Sequence, residues 1–266
     1  MIKMLVLDLD DTLLRSDKTI SGYTEQVVKK AQDAGIKIVI ATARPYRSIK
    51  HYMDQIKCRH AVYHNGARVA TDGKVSGFSF CIPNKTAVNL LKMLQSRYPG
   101  KKLSVEINER LYANFDVLSI WGSNPLDTEI LKAAAVQSDF TDLPGIDADK
   151  IIIELNGEDE YKEIMSLLPD ELYGLLSDRG ALCLVMNRHA SKLNAVKRLV
   201  EQIGLSVSEV AVFGDDYNDL EMIKYFGLGV AMSNAIDEVR QAADAVTIFS
   251  NDEDGVARFI EEYILE

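Results

Sequence analysis

The chain has 266 residues, of which 47% are hydrophobic and 26% charged, and this length suits one large globular domain or two smaller ones. Its formal net charge of −10 at pH 7 disfavours nucleic acid or an anionic membrane as a partner, but it leaves room for a local site that binds a small anion. No apolar run approaches ~18–20 residues, so we expect no membrane span. Three scattered cysteines and a start without a signal-peptide pattern predict a cytoplasmic protein with reduced thiols.

The first predicted strand ends in a group of acids. Its apolar residues Met4–Leu7 run directly into Asp8-Leu9-Asp10-Asp11-Thr12. Such a run predicts a strand buried on both faces, and open α/β folds place their sites at the carboxyl ends of such strands. Neighbouring carboxylates repel each other unless a cation lies between them, and Mg²⁺ prefers carboxylates together with phosphate oxygens. The alternative is an acidic turn or helix cap.

Strands and helices alternate through the next segment. Ser21 can cap a helix that Gly35 ends, and residues 36–41 then predict a second buried strand. This strand ends in Thr42-Ala43-Arg44-Pro45, and a helical apolar stripe follows it. Thr42 therefore lies between a strand end and a helix start, where backbone N–H groups favour an anion. A simple helix cap explains this segment equally well.

A short strand at 61–63 precedes the segment His64-Asn65-Gly66-Ala67. The Asn-Gly pair is a turn signal in its own right. Residues 68–80 then predict a hairpin with Asp72-Gly73 as its turn.

The pattern changes at Pro83, after which short strands and helices mix without acids at the strand ends. This mixture predicts an inserted α+β block. One continuous domain is the weaker alternative, because strand-end acids resume only after the block. The predicted elements are a helix capped by Asn84, strands at Leu103–Ile107 and 110–115, a helix with Leu126, Ile130 and Leu131, a strand at 150–155, a helix at 161–168, and a hairpin of 172–176 with 181–186 around Asp178-Arg179-Gly180.

The α/β alternation returns after residue 187. Ser191 can cap a helix that ends at Gly204, and Lys192 falls in its first turn. A cation in that position opposes the helix dipole and is better tolerated beside an anion or carboxylates, although a solvated surface lysine is the ordinary alternative.

The next predicted strand, residues 209–213, ends in Gly214-Asp215-Asp216-Tyr217-Asn218-Asp219. A turn rich in Asp and Asn is ordinary by itself. Together with the acids after the first strand, it predicts one acidic site at the sheet edge. Strands at Leu228–Ala231 and 246–249 complete the sheet.

Four of these segments resemble, in order, the motifs of the haloacid dehalogenase superfamily of phosphohydrolases: D-x-D-x-T-L at 8–13, a Ser or Thr at Thr42, a Lys at Lys192, and G-D-x-x-N-D at 214–219. The layout is similar to the Cof-type branch, which carries a large α/β cap, although Ala43 and Leu193 stand where that branch more often has Gly. The resemblance implies an α/β fold, a Rossmann-like doubly wound parallel sheet core (1–82 and 187–266) with an inserted α+β cap domain (83–186).

The resemblance also implies roles for individual residues. Asp8 would be the nucleophile and Asp10 the general acid and base. Phosphate would contact the Leu9 backbone, Thr42, Lys192 and Asn218, with Ala43, Arg44, Asn65 and Gly66 also near the substrate. Mg²⁺ would be held by Asp8, the Asp10 backbone carbonyl and Asp215, with Asp216 or Asp219 in direct or indirect contact.

The implied function is a Mg²⁺-dependent phosphatase that hydrolyses a small phosphorylated metabolite through an aspartyl phosphate. A phosphosugar mutase and a non-catalytic phosphometabolite-binding protein are the alternatives, and a monomer is the default expectation. Leaving-group contacts from Glu106, Tyr112, Trp121 and Arg179 are conceivable, but ordinary packing or surface exposure is the favoured interpretation of these side chains.

Overall fold

A computed structural model describes residues 1–72, 74–121, 125–177 and 180–265. The chain forms two compact units, which are Met1–Arg44, Ile49–Ser79 and Ser191–Glu266 (unit 1), and Pro45–Ser48 and Phe80–Ala190 (unit 2). The sequence predicted domain boundaries at 82/83 and 186/187. The two compact units divide close to these positions, but the assignment of the domains stays a prediction. Among the described residues, no helix combines the length and the apolar character that a membrane crossing requires.

The strands are β1 (Met4–Leu7), β2 (Lys37–Ala41), β3 (His60–Tyr63), β4 (Arg68–Thr71), β5 (Lys74–Ser79), β6 (Leu103–Ile107), β7 (Arg110–Ala113), β8 (Ala135–Gln137), β9 (Lys150–Glu154), β10 (Leu172–Ser177), β11 (Leu182–Asn187), β12 (Val210–Gly214), β13 (Leu228–Ala231) and β14 (Ala245–Val246). The helices are α1 (Gly22–Asp33), α2 (Tyr46–Gln55), α3 (Asn84–Arg97), α4 (Leu118–Trp121), α5 (Pro125–Ala134), α6 (Glu158–Leu167), α7 (Lys192–Ile203), α8 (Leu220–Tyr225), α9 (Asp237–Ala242) and α10 (Gly255–Tyr263).

Unit 1 is built on an eight-stranded sheet in the order β14-β13-β12-β1-β2-β3-β4-β5. Strands β14 to β3 are parallel, while β4 and β5 pair antiparallel at one edge. All residues of β1 and β12 are buried, as their apolar sequences predict. The chain moves outward from β1 through β2 and β3, and later through β12 and β13 on the other side. The strand order therefore reverses at β1, where doubly wound folds bind ligands.

Two of the predicted helix starts are confirmed by their caps. The Ser21 side chain accepts a hydrogen bond from the Thr24 N–H at 3.0 Å, and the Ser191 side chain accepts one from the Asn194 N–H at 3.1 Å. Gly204 follows α7 with a φ of +79°, a left-handed conformation that suits glycine. The cap at Ser191 fixes where α7 begins, and so fixes Lys192 in its first turn.

Two local predictions were wrong. Asn84 does not cap α3, because it is the first helical residue after Pro83 and its Nδ2 donates to the Pro144 carbonyl at 2.9 Å. The strand predicted at 246–249 is only Ala245–Val246, because the Thr247 hydroxyl donates to the Phe249 carbonyl at 2.7 Å and closes a turn there.

Unit 2 contains a six-stranded sheet in the order β10-β11-β9-β6-β7-β8, antiparallel except for β7 with β8. Apolar residues of β6, β9 and β11 form a buried cluster with α3 and α6, which gives this unit its own hydrophobic core. The hairpin pairings β4–β5 and β10–β11 are confirmed. The predicted turn residues Gly73, Asp178 and Arg179 lie outside the described residues.

Candidate active site

The site lies at the carboxyl ends of three neighbouring strands of unit 1. Leu7, the last residue of β1, is in register with Phe213 of β12 and with Ile40 of β2. Asp8 therefore follows β1 at the level where β12 leads into its acidic turn, and the Asp8 N–H donates to the Phe213 carbonyl at 3.1 Å. The reversal of strand order leaves space for side chains between the loops at this edge.

A buried lysine joins two of the predicted acids. Lys192 Nζ donates to Asp8 Oδ1 at 2.6 Å and to Asp219 Oδ1 at 2.8 Å. Lys192 is 1% exposed, Asp8 6% and Asp219 0%. Burial by itself would lower the pKa of Lys192, but the carboxylates of Asp219 and Asp8 outweigh it and raise that pKa, so the ammonium stays protonated.

Burial has the opposite effect on Asp8. Desolvation raises the pKa of the Asp8 carboxyl well above its usual range, Lys192 opposes this rise, and the charges of Asp219 and Asp215 add to it. The ionised form of Asp8 thus depends on positive charge nearby.

Asp219 organises the loop that follows β12. Its Oδ2 accepts hydrogen bonds from the N–H groups of Asp215 at 3.1 Å and Asp216 at 3.4 Å. Gly214 makes room for this arrangement, since a Cβ there would lie 2.4 Å from the Asp219 Cβ. Asp219 therefore holds both the loop and Lys192, a role that the pattern of acids alone did not reveal.

Thr12 orients the next acid. Its hydroxyl donates to Asp215 Oδ1 at 2.6 Å. Burial raises the pKa of Asp215 to about 7, the hydrogen bond from Thr12 lowers it, and the charge of Asp219 raises it. The sequence analysis gave Thr12 no role, although Thr12 is the threonine of the D-x-D-x-T-L motif and could have been singled out on that ground.

Three carboxylates form a group with the spacing of a metal site. Asp8, Asp215 and Asp219 each offer an oxygen, and these oxygens lie within 4.8 Å of one another. Oxygen ligands of this kind fit Mg²⁺, a hard cation. Asp216 does not join them, because it is exposed and its Oδ1 accepts from the Tyr217 N–H at 2.8 Å.

Asp10 is held by two cations. Arg44 Nε and Nη2 donate to its two oxygens at 2.7 and 2.6 Å, and Lys18 Nζ lies 3.0 Å from Oδ1. Burial raises the pKa of Asp10, but the hydrogen bonds and charge of Arg44, with the charge of Lys18, lower it below its usual value. Asp10 is therefore ionised. Lys18 carried no signal in the sequence, and the carboxylate partner of Arg44 was not predicted.

Two predicted phosphate-binding residues, Thr42 and Asn218, meet at Asn65, which was predicted to lie near the substrate. The Thr42 hydroxyl accepts from the Arg44 N–H at 3.2 Å, and the Thr42 carbonyl accepts from the Asn65 N–H at 2.9 Å. Asn218 Nδ2 donates to Asn65 Oδ1 at 3.3 Å. The remaining predicted residues are neighbours of these in the chain: buried Leu9 after Asp8, half-buried Ala43 after Thr42, and buried Gly66 after Asn65.

The candidates in unit 2 agree with ordinary packing where the structure describes them. Glu106 is buried and accepts two hydrogen bonds from Arg47, at 2.7 and 2.8 Å. Tyr112 packs against the hydrophobic core of the unit. The side chain of Trp121 and all of Arg179 lie outside the described residues.

Known proteins resemble this chain over nearly its whole length. The family profile described as haloacid dehalogenase-like hydrolase matches residues 5–260. The 5-amino-6-(5-phospho-D-ribitylamino)uracil phosphatase YitU of Bacillus subtilis is 29% identical, covering 98% of this chain and 97% of its own. The phosphatase YwpJ of the same organism is 28% identical over 99% of this chain and 100% of its own. A crystal structure of a haloacid dehalogenase-like hydrolase from Bacteroides thetaiotaomicron superposes with a TM-score of 0.84 at 26% identity, covering 98% of this chain and 99% of that one.

Proposed function

The chain belongs to the haloacid dehalogenase-like hydrolase family as a phosphoric monoester hydrolase, and we propose that it uses Mg²⁺ and an aspartyl-phosphate intermediate to hydrolyse a small phosphorylated metabolite. The observation that carries the proposal is the buried contact of Lys192 with Asp8, beside a group of carboxylates with metal-site spacing. Unit 1 would be the catalytic core and unit 2 the cap domain. A monomer stays the default expectation, and the three buried free cysteines suit the reducing cytoplasm.

Asp8 is the nucleophile in this proposal. One of its carboxylate oxygens attacks phosphorus while the bond from phosphorus to the leaving-group oxygen breaks, which leaves the phosphoryl group on Asp8. Water then attacks the phosphorus, inorganic phosphate departs, and the carboxylate of Asp8 is restored. Lys192 supports this role, because its charge favours the ionised form of a carboxyl that burial would otherwise neutralise.

Asp10 moves the protons. In the first step its protonated form gives a proton to the leaving oxygen, and in the second its ionised form takes a proton from the attacking water. The contacts with Arg44 and Lys18 favour the ionised form that the second step needs. The first step therefore requires these contacts to loosen when substrate binds.

Charge balance explains why the site needs more than Lys192. Asp8, Asp215 and Asp219 would together repel a phosphate dianion. Asp8 and Asp215, with the Asp10 backbone carbonyl and with Asp219 nearby, would hold Mg²⁺. When bound, Mg²⁺ supplies positive charge that offsets the charge on the phosphoryl oxygens.

The phosphoryl oxygens would be oriented by polar groups from separate loops. Asn65 contacts both the backbone carbonyl of Thr42 and the side-chain amide of Asn218, so the three residues can act as one surface. Positioning of this kind accounts for much of the catalysis of phosphoryl transfer, because the chain itself supplies little further covalent chemistry.

Replacing the nucleophile tests the proposal. Wild type, Asp8→Asn and Asp33→Asn would be assayed with MgCl₂ for phosphate release from p-nitrophenyl phosphate, sugar phosphates, nucleotides and 5-amino-6-(5-phospho-D-ribitylamino)uracil. Asp33 is an exposed acid on α1 and serves as the matched control. We expect Asp8→Asn to fold and to lose at least about 1,000-fold in kcat, as removal of a nucleophile does in other enzymes.

Near-normal turnover by Asp8→Asn would contradict the aspartyl-phosphate route. A wild-type protein that binds these esters but releases no phosphate from any of them would favour the non-catalytic binding protein. Isomerised sugar phosphate without phosphate release would favour the mutase.

A further inference from the structure

The turn His64–Gly66 after β3 contacts three separate parts of the proposed site. The Asn65 N–H donates to the Thr42 carbonyl at 2.9 Å, and Asn65 Oδ1 accepts from Asn218 at 3.3 Å. On its other side, the turn packs against the start of α7 through Gly66. One short turn thus adjoins residues that follow β2 and β12 and the helix that carries Lys192.

Gly66 approaches α7 more closely than any other residue type permits. A Cβ at this position would lie 2.1 Å from the Ser191 carbonyl oxygen, 2.4 Å from the Ser191 carbonyl carbon and 3.0 Å from the Lys192 nitrogen. Real Cβ atoms essentially never come within 3.0 Å of such atoms. The atoms in the way are backbone atoms, so a side chain at 66 cannot be accommodated by a rotamer change. Gly66 also has a φ of +98°, which independently favours glycine.

The backbone that Gly66 contacts begins α7. The Ser191 carbonyl accepts the hydrogen bond of the Ala195 N–H at 3.1 Å, and the Ser191 hydroxyl accepts from the Asn194 N–H at 3.1 Å. Displacing Ser191 therefore displaces the whole first turn of the helix. Lys192 is the first residue of that turn, and it depends on contacts of 2.6 Å and 2.8 Å with two fixed carboxylates.

We propose that Gly66 is a positioning residue for Lys192: it lacks a side chain so that α7 can begin close enough to the sheet edge for the Lys192 ammonium to reach Asp8. This inference rests on the proposed function, and it adds a positioning role to the place near the substrate expected of Gly66 from the sequence. Restoring an ordinary contact around a new Cβ requires α7 to move by roughly 1 Å, and a misplacement of this size costs about 100-fold in rate.

The test compares two glycines that share backbone strain but differ in surroundings. Gly35 has a φ of +84°, and a Cβ there would meet no atom within 4 Å. We would make Gly66→Ala, Gly66→Asn, Gly35→Ala and Gly35→Asn, since Asn tolerates a left-handed backbone better than Ala does. Each would be measured with p-nitrophenyl phosphate and MgCl₂ for kcat and KM, and by thermal unfolding.

We expect both Gly66 variants to lose about 100-fold in kcat, because the collision with Ser191 is common to both. Both Gly35 variants should keep the wild-type kcat, even where strain lowers their melting temperature. A crystal structure of a Gly66 variant should show the Lys192 ammonium farther from the Asp8 carboxylate. Asn is included at 66 so that a folded variant is obtained if strain prevents the Ala variant from folding.

Two results would overturn the inference: a folded Gly66 variant with the wild-type kcat, or recovery of kcat in Gly66→Asn alone, which would assign the effect to backbone strain. An inactive wild type would instead overturn the proposed function. In that case the Lys192–Asp8 distance in the crystal structure still tests the positioning role.

Discussion

Replacing Lys192 by Met should destabilise the protein strongly, because it removes the one cation that contacts both Asp8 and Asp219 in the described structure. Methionine keeps the length and apolar stem of the lysine but leaves two carboxylates buried beside each other. Asp8 is 6% and Asp219 0% exposed, so water cannot replace the ammonium without rearrangement of the loops.

The expected loss follows from the burial of this group. Removing one partner of a buried ion pair costs about 3–5 kcal/mol, because the remaining charge is left uncompensated. An exposed pair contributes only about 0–1 kcal/mol. Lys29 and Asp33 on α1 form such an exposed pair, with side chains 61% and 65% exposed, so Lys29→Met is the matched control.

Urea unfolding near pH 8 measures this loss of stability. EDTA in the buffer prevents a divalent cation from compensating for the missing ammonium. With an m-value of about 1–3 kcal/mol/M, the midpoint of Lys192→Met should fall by on the order of 1–5 M. The pH dependence has a definite sign. Burial raises the pKa of Asp8 in the folded protein, so its protonation favours folding at low pH, and that stability is lost as the pH rises. The deficit of the variant relative to wild type should therefore shrink as the pH is lowered.

A midpoint equal to that of Lys29→Met would refute this reasoning, since it would show that the carboxylates are solvated or neutral without Lys192. A deficit that grows as the pH falls would refute the assignment of the loss to Asp8 and Asp219. Either result would also weaken the proposed role of Lys192 in keeping the nucleophile ionised.

Other predictions concern the metal site and unit 2. The apparent affinity for Mg²⁺ in calorimetric titrations should fall between about pH 8 and about pH 6, because Asp215, with a pKa of about 7, then binds a proton in competition with the metal. Thr12→Val removes the hydroxyl that lowers this pKa, so the same fall should begin at higher pH. Equal affinities across this range would contradict both statements. In unit 2, Arg47→Met should cost up to about 3–5 kcal/mol in urea unfolding, because it removes the guanidinium paired with buried Glu106 and leaves the charge of Lys150 to offset that carboxylate. Arg97→Met, which breaks an exposed pair, should leave the midpoint unchanged, and an equal effect of both would contradict the burial argument.

The order of elements in unit 1 was predictable because each signal is local. An apolar run followed by acids identifies β1, and Ser191 with Gly204 brackets α7 within a dozen residues. The sequence predicted the class of the sheet but not its full strand order, since the parallel pairings of β1 with β12 and with β2 join segments that are distant in the chain. Local signals also failed where a distant partner competed, as at Asn84, whose amide bonds loop carbonyls some sixty residues away.

The sequence predicted which residues belong to the candidate site, but not which of these side chains pair with each other. The strand ends predicted Asp8 and Asp215 at one sheet edge and the family resemblance added Lys192, and the three lie together in the structure. Nothing in the sequence indicated that Arg44 pairs with Asp10. These two side chains lie 34 positions apart in the chain and meet only because β1 and β2 are adjacent in the sheet. That pairing matters for mechanism, because it determines the ionisation of the proposed general acid.

The two neighbouring acids Asp216 and Asp219 show what decides such pairings. Both lie in one turn, and composition gives no reason to prefer either. The two acids differ in their surroundings. Gly214 has no side chain, and Asp219 fills the space that this leaves. There the Asp219 carboxylate accepts hydrogen bonds from two backbone N–H groups and from Lys192. Asp216, one residue after Asp215, is turned to solvent. A glycine five residues before an acid, at the end of a buried strand, is thus a sequence signal for which carboxylate of such a turn is buried, and its physical basis is excluded volume rather than charge.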